Sequence, residues 1–161
     1  SSIVIGGSGY NRTVSVTAKA KKSGTATLTF NLSDGKVTVP VVITVIVGTD
    51  ANETLNGTSG IDMIFGMNGM NTLNGNAGND LLCGGNSNDT LNGGDGNDII
   101  DGENGNDILN GGNGNDILRG SLGNDTLTGG AGSDLFSGGP GTDIAIDFTL
   151  SQGDTQDGTI P

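Results

Sequence analysis

From Gly48 to Ile146 the apolar positions recur every nine residues, through eleven consecutive nonapeptides without insertion or deletion. The apolar residue stands eighth in each: Leu55, Ile64, Leu73, Leu82, Leu91, Ile100, Leu109, Leu118 and Leu127, then Phe136 and Ala145. Place 1 is always Gly, place 4 is Gly except at Ala51 and Ser87, and place 6 is Asp except at Glu53 and Asn71. GGDGNDIID (93–101) and GGNGNDILR (111–119) are the cleanest copies. A fixed period with a glycine-rich half and one apolar place predicts a solenoid, each nonapeptide giving a six-residue loop and a three-residue strand. Two nonapeptides make one coil, so loops 18 residues apart stack at about 4.8 Å on the same side.

Residues 1–47 follow a different rule, the two-residue alternation of strands. Ile3–Ile5 is a short apolar strand, and Thr13–Ala20 places Val14, Val16, Ala18 and Ala20 on one face. Thr25–Leu32 places Ala26, Leu28, Phe30 and Leu32 inward. Asp34-Gly35 is a hairpin signal. Val37–Val47 places Val37, Val39, Val41, Ile43, Val45 and Val47 on one face, with Pro40 marking an edge or a bulge. The phrases NRTVSVTAKA, SGTATLTFNLSDG and VPVVITVIV resemble bacterial Ig-like or cadherin-like domains, which occur in tandem in giant surface proteins. A full sandwich of that kind needs about 100 residues and seven strands. The resemblance therefore implies that residues 1–47 are a partial sandwich and that the chain is a fragment of something longer. Residues 147–161 are polar, with Phe148 and Leu150 placed to cover the last open coil, and they read as a cap.

Composition alone points to disorder, with 32 glycines and 3% aromatics in 161 residues. The unbroken phase of the glycines overrides it. The net charge of −12 is unevenly spread: residues 1–47 carry +4, the repeats −13 and the tail −3. Concentrated acidity excludes nucleic acid as a partner and favours multivalent cations. With one cysteine and no histidine, neither a disulfide framework nor a His/Cys zinc site is available. No apolar run is long enough to span a membrane. No nucleophile sits with a base, so the chain is expected not to be an enzyme.

Stacked loops bring like-charged carboxylates together, and facing loop carbonyls add further negative dipoles. A hard cation with six to eight oxygen ligands resolves both, and flexible carbonyl-rich loops suit calcium better than the smaller, strictly octahedral magnesium. The repeat resembles the RTX family, the calcium-binding β-rolls of proteins exported by type I secretion, over about 99 residues. The resemblance implies a right-handed parallel β-roll, with each ion between the loops of repeats n and n+2. It assigns the metal ligands to Asp62, Asp80, Asp89, Asp98, Asp107, Asp116, Asp125, Asp134 and Asp143. One side pairs Asp62–Asp80, Asp80–Asp98, Asp98–Asp116 and Asp116–Asp134; the other pairs Asp89–Asp107, Asp107–Asp125 and Asp125–Asp143. About seven ions follow, with Glu53, Asn71, Ala51 and Ser87 weakening the N-terminal end. At ten times its dissociation constant each ion adds about 1.4 kcal/mol, so seven rival the whole stability of an ordinary domain, about 5–15 kcal/mol.

The expected architecture is thus all-β: partial sandwich strands over 1–47, a calcium-binding β-roll over 48–146 and a capping tail over 147–161. Its two outer faces differ. Odd repeats show a Thr/Asn ladder (Thr54/Asn56, Thr72/Asn74, Thr90/Asn92), whereas even repeats show an apolar stripe of Met63, Leu81, Ile99, Ile117 and Leu135. The stripe points to docking, either on the Ig-like segment or on another chain such as a further copy, and residues 1–47 to strand addition. The favoured function is a secreted, calcium-rigidified structural module of an adhesin, filament or surface protein. The alternatives are a secretion and folding aid for an upstream enzyme or toxin, and an ice- or surface-binding solenoid using the Thr/Asn ladder.

Overall fold

The computed structural model describes residues 24–33, 38–150 and 152–160. Their strands form two sheets. The first runs β1 (Gly24–Ser33), β2 (Thr38–Val47), β4 (Ile61–Phe65), β6 (Leu81–Asn86), β8 (Ile99–Asn104), β10 (Ile117–Arg119), β12 (Leu135–Ser137) and β14 (Thr155–Gln156). The second contains β3 (Thr54–Asn56), β5 (Thr72–Ala77), β7 (Thr90–Asp95), β9 (Ile108–Asn113), β11 (Thr126–Ala131) and β13 (Ile144–Ala145). From β2 to β10 and from β3 to β11 each strand pairs in parallel with the one 18 residues on, as in Leu82↔Ile100 and Leu91↔Leu109. This is the two-nonapeptide coil that the period predicts.

Place 8 faces inward without exception. Ile64, Leu73, Leu82, Leu91, Ile100, Leu109, Leu118, Leu127 and Phe136 are wholly buried, with Leu55 and Ala145 partly so. The core is therefore one row of side chains from each sheet. Places 7 and 9 lie on the outer faces because successive strand residues point to opposite sides.

In β2 the face shared by Val41, Ile43, Val45 and Val47 is the outer one. Thr44 and Ile46 are buried, while Ile43, Val45 and Val47 are half-buried on the outer side and Val42 is exposed. Both faces of β2 are apolar enough to serve, so alternation could not choose between them. Pairing with β4 does, by setting Thr44 against Asp62 and Ile46 against Ile64. A one-residue shift would flip every side chain. Thus β2 is a coil of the solenoid that lacks the repeat's glycines and aspartate.

Strand β1 closes this end as an antiparallel partner of β2, from Gly24↔Val47 to Ser33↔Thr38. Ala26 is exposed and Leu28 half-buried rather than inward, since β1 is the sheet edge. Pro40 pairs only with Asn31, because contact with β4 begins at Ile43. That agrees with its missing amide proton. The Asp34-Gly35 turn, the strands at 3–5 and 13–20, and the side chains of Phe30, Leu32, Val37 and Val39 lie outside the described residues. So does most of the segment likened to an Ig-like domain.

The tail caps the other end. Phe148 packs edge-on against Phe136 with ring centroids 5.8 Å apart, and Ile160 joins the core at 5% exposed. Leu150, expected beside Phe148, is 78% exposed. The last coil is longer than 18 residues: Leu135 pairs with Thr155, which shifts the apolar register and brings in Ile160 instead.

The single-row core predicts a steep contrast between inner and outer positions. With calcium present, Leu91→Ala should cost about 2–5 kcal/mol by chemical denaturation, and Ile108→Ala, 52% exposed, within about 0.5 kcal/mol. Equal losses would contradict the assigned faces.

Candidate metal centre

Two rows of buried carboxylates run along the loops. Asp62, the second residue of β4, and Asp80, Asp98, Asp116 and Asp134, which precede later strands, line the first sheet, and Asp89, Asp107, Asp125 and Asp143 precede strands of the second; none exceeds 3% exposure. From Asp80 to Asp143, each Oδ1 accepts the amide N–H of the place-6 residue one coil earlier. Asp62 N–H donates to Asp80 at 2.8 Å, Asp80 to Asp98 at 2.8 Å and Asp98 to Asp116 at 2.8 Å. The other row repeats this, with Asp89 N–H on Asp107 at 2.7 Å and Asp107 N–H on Asp125 at 2.8 Å. One oxygen of each of these eight carboxylates therefore belongs to the backbone ladder, whereas Asp62 Oδ1 accepts the Thr58 hydroxyl at 3.2 Å.

The other oxygen has no partner. The Oδ2 atoms of Asp80, Asp89, Asp98, Asp107, Asp116, Asp125, Asp134 and Asp143 are buried and accept no hydrogen bond. A buried, unpaired ionised oxygen is among the most costly features a fold can carry. Each lies against the bare face of the place-1 glycine. A Cβ on Gly75 would stand 2.5 Å from Asp80 Oδ2 and 2.6 Å from the carbonyl oxygen of Gly93, in the next coil. Only glycine leaves that space between carboxylate and carbonyl free.

Asn71 shows what the space requires. Its Oδ1 accepts Glu53 N–H at 2.9 Å, as an aspartate would in the ladder. Its Nδ2, where an aspartate carries Oδ2, donates to the carbonyls of Asn68 at 3.1 Å and Gly69 at 3.0 Å. Loop carbonyls thus face this seat, and a positive group satisfies them. In the eight aspartate loops the seat holds an anionic oxygen instead, so the positive group must come from outside. The donors are all hard oxygens, which fits calcium and not a thiolate- or imidazole-loving metal. Among the described residues no three acidic, thiol or imidazole side chains converge on a metal position, so backbone carbonyls must supply much of the coordination.

The N-terminal loops are built differently. Asp62 Oδ2 accepts Thr58 N–H at 2.7 Å and the Thr58 hydroxyl at 3.1 Å, and Glu53 Oε2 accepts Thr49 N–H at 2.5 Å. Asp62, expected to be a ligand, therefore stands in the row with its second oxygen already engaged. Ser87, expected to weaken its loop, adopts φ 82° as a glycine would and leaves Asp89 like its neighbours.

Several structural residues escaped the sequence reading. Asn at place 5 accepts the amide of the residue one coil later, as in Asn79 with Asn97 N–H at 2.9 Å and Asn97 with Asn115 N–H at 2.8 Å. The recurrent Asn was visible; its role needed the 18-residue stacking. At the C-terminal end Asp154, 2% exposed, extends the first row by accepting Asp134 N–H at 2.9 Å, and Asp147 accepts Gly129 and Gly130 N–H at 2.8 and 2.7 Å. Both lie where the period ends.

Burial pushes Asp80, Asp89 and Asp116 up to about 6 and Asp107 to about 7, against a ladder hydrogen bond that lowers each. Neighbouring carboxylates, such as Asp98 beside Asp80, raise them further. Burial raises Asp98, Asp125 and Asp134 as well. Cys83, half-buried on the outer face, has its thiol pushed up to about 11 by burial and then by Glu103 and Asp101, so it is little ionised at neutral pH.

A parallel β-solenoid carrying rows of half-satisfied aspartates in glycine loops defines a class of metal-stabilised repeat protein. The chain belongs to the RTX calcium-binding nonapeptide repeat family, whose model matches residues 47–82, 84–118 and 110–145. A comparison with curated proteins finds no match. Family and aspartate ladder together imply that this module binds calcium.

The raised carboxyls fix a pH dependence for the metal-free protein. A folded-state value above the ordinary 3.8 means that the folded chain holds more protons, so stability is full below 3.8 and lost as pH rises through 6 to 7. In chelator, strand content by circular dichroism should rise as pH falls from 8 to 5. A fall over that range would contradict the ladder electrostatics.

Proposed function

We propose that this chain is an extracellular structural module that becomes rigid by binding calcium after export, within a larger adhesin, filament or surface protein. The observation that carries the reading is the set of eight buried Oδ2 atoms without a partner. Calcium supplies positive charge and a wide, flexible oxygen coordination. Six aspartate pairs have both second oxygens open: Asp80–Asp98, Asp98–Asp116, Asp116–Asp134, Asp89–Asp107, Asp107–Asp125 and Asp125–Asp143. On this reading six ions are bound, against the expected count of about seven, since Asp62 in the remaining pair is engaged by Thr58. Extracellular calcium would fill such sites where the low cytosolic level would not, which couples rigidity to location.

Among the described residues no helix is long and apolar enough to cross a membrane. The likeness of residues 1–47 to Ig-like domains favours an adhesin or surface protein over a module serving only the export of an upstream enzyme or toxin. The ice-binding alternative draws less support. Ile108 and Ile144 break the Thr row and are 52% and 58% exposed. The place-9 amides bond to one another, Asn74 to Asn56 at 2.8 Å and Asn92 to Asn74 at 2.9 Å.

A calcium titration followed by circular dichroism at low magnesium should show strand signal appearing with calcium. A signal already complete in chelator at neutral pH would overturn the reading.

The apolar stripe supports association with a second copy as an extension of this role. Ile99 and Leu135 are 38% and 39% exposed, and Met63, Leu81 and Ile117 lie half-buried in the same outer row. The double variant Leu81→Lys, Ile117→Lys should lower the mass seen by light scattering in calcium while leaving calcium binding intact. An unchanged mass would remove the association.

A further inference from the structure

Each loop carboxylate is either open, with a buried Oδ2 lacking a partner, or closed by a group of the chain itself, and the residue at place 2 separates the two. In the nine repeats from the third onward, place 2 is left-handed whether or not it is glycine. Met67 and Asn76 have φ 76°, Glu103 67° and Ser121 73°, while Gly94 and Gly112 have 112° and 110°. All eight of these repeats that carry an aspartate leave its Oδ2 open. In the first two repeats place 2 is Thr49 or Thr58, and neither has a positive φ. Branching at Cβ makes the left-handed region costly for threonine. The peptide preceding each threonine instead presents its N–H to the carboxylate, at 2.5 Å on Glu53 and 2.7 Å on Asp62. The same solution recurs at the far end, where Thr149 N–H donates to Asp154 Oδ2 at 2.9 Å.

The seat itself is not what differs. A Cβ on Gly57 would lie 2.6 Å from Asp62 Oδ2 and 2.6 Å from the Gly75 carbonyl, nearly the arrangement found at Gly75. Asp62 is wholly buried, like the open aspartates. Its partners differ: Thr58 N–H occupies Oδ2, and Oδ1 accepts the Thr58 hydroxyl at 3.2 Å where the open aspartates accept a ladder amide.

We propose that the residue at place 2 decides which loops take calcium. Thr58 silences the loop of Asp62 by turning its own amide onto the carboxylate, whereas any residue that reaches the left-handed region there leaves the carboxylate to a cation. The coils at either end then satisfy their carboxylates internally, and metal is confined to the span from Asp80 to Asp143. The inference rests on the calcium reading above.

Two reciprocal variants of the full chain test it, with bound calcium counted by native mass spectrometry. Thr58→Gly frees Asp62 and should bind one ion more than the parent. Asn76→Thr places a threonine before Asp80, at a position that already accommodates a Cβ, and should bind one ion fewer. A parent that binds no calcium overturns the calcium reading and this inference together. A parent that binds calcium while Thr58→Gly keeps the same count overturns the inference alone, and this arm stands even if Asn76→Thr fails to fold. An unchanged count in a folded Asn76→Thr overturns it as well.

Discussion

The fold depends on a carboxylate used at both ends. One oxygen of each loop aspartate from Asp80 to Asp143 is spent on the backbone, tying the amide of one coil to the side chain of the next. The second oxygen of these eight is buried beside loop carbonyls and has no hydrogen-bond partner. The first contact gives the loops their spacing and register, and the second makes that arrangement expensive until a cation arrives. No other feature so directly links the fold to a condition outside the molecule. The core cannot compensate, since it amounts to one row of Leu and Ile from each sheet with a phenylalanine near the end. Burying a further negative group where the ordinary value of 3.8 is already displaced to about 6 or 7 only adds to the cost.

The surrounding residues follow from that constraint. Place 1 is glycine because carboxylate and carbonyl oxygens press on its bare face. Place 5 is mostly asparagine because its amide oxygen accepts an N–H from the next coil, opposite in direction to the aspartate bond. Loops are thus stitched both ways along the stack before any metal is considered. Towards the two ends these groups are satisfied within the chain: Thr58 donates to Asp62, Asn71 to its own loop carbonyls and Thr149 to Asp154, while Asp147 accepts the amides of Gly129 and Gly130.

Much of this was legible in the sequence wherever the period held. A strict 18-residue coil makes every place a structural address, so the inward row, the two sheets and the aspartate rows could be read residue by residue. Legibility failed where the period did. In β2 both alternating faces are apolar, and only pairing with β4 turns Ile46 inward. In the tail the longer last coil moves the apolar role from Leu150 to Ile160 and hides Asp154 from any nine-residue frame. At Asp62 the residue type was legible but the Thr58 amide on its Oδ2 was not, because that contact depends on the backbone conformation of Thr58, four residues earlier.

The most direct test of the account is an anomalous difference map from crystals grown in calcium, which locates the ions without assumptions about their ligands. The account predicts peaks within about 2.3–2.6 Å of the open second oxygens along both rows from Asp80 to Asp143, and none beside Asp62. Peaks confined to the outer surface, or an ordered solenoid whose carboxylates carry no metal at neutral pH, would contradict it.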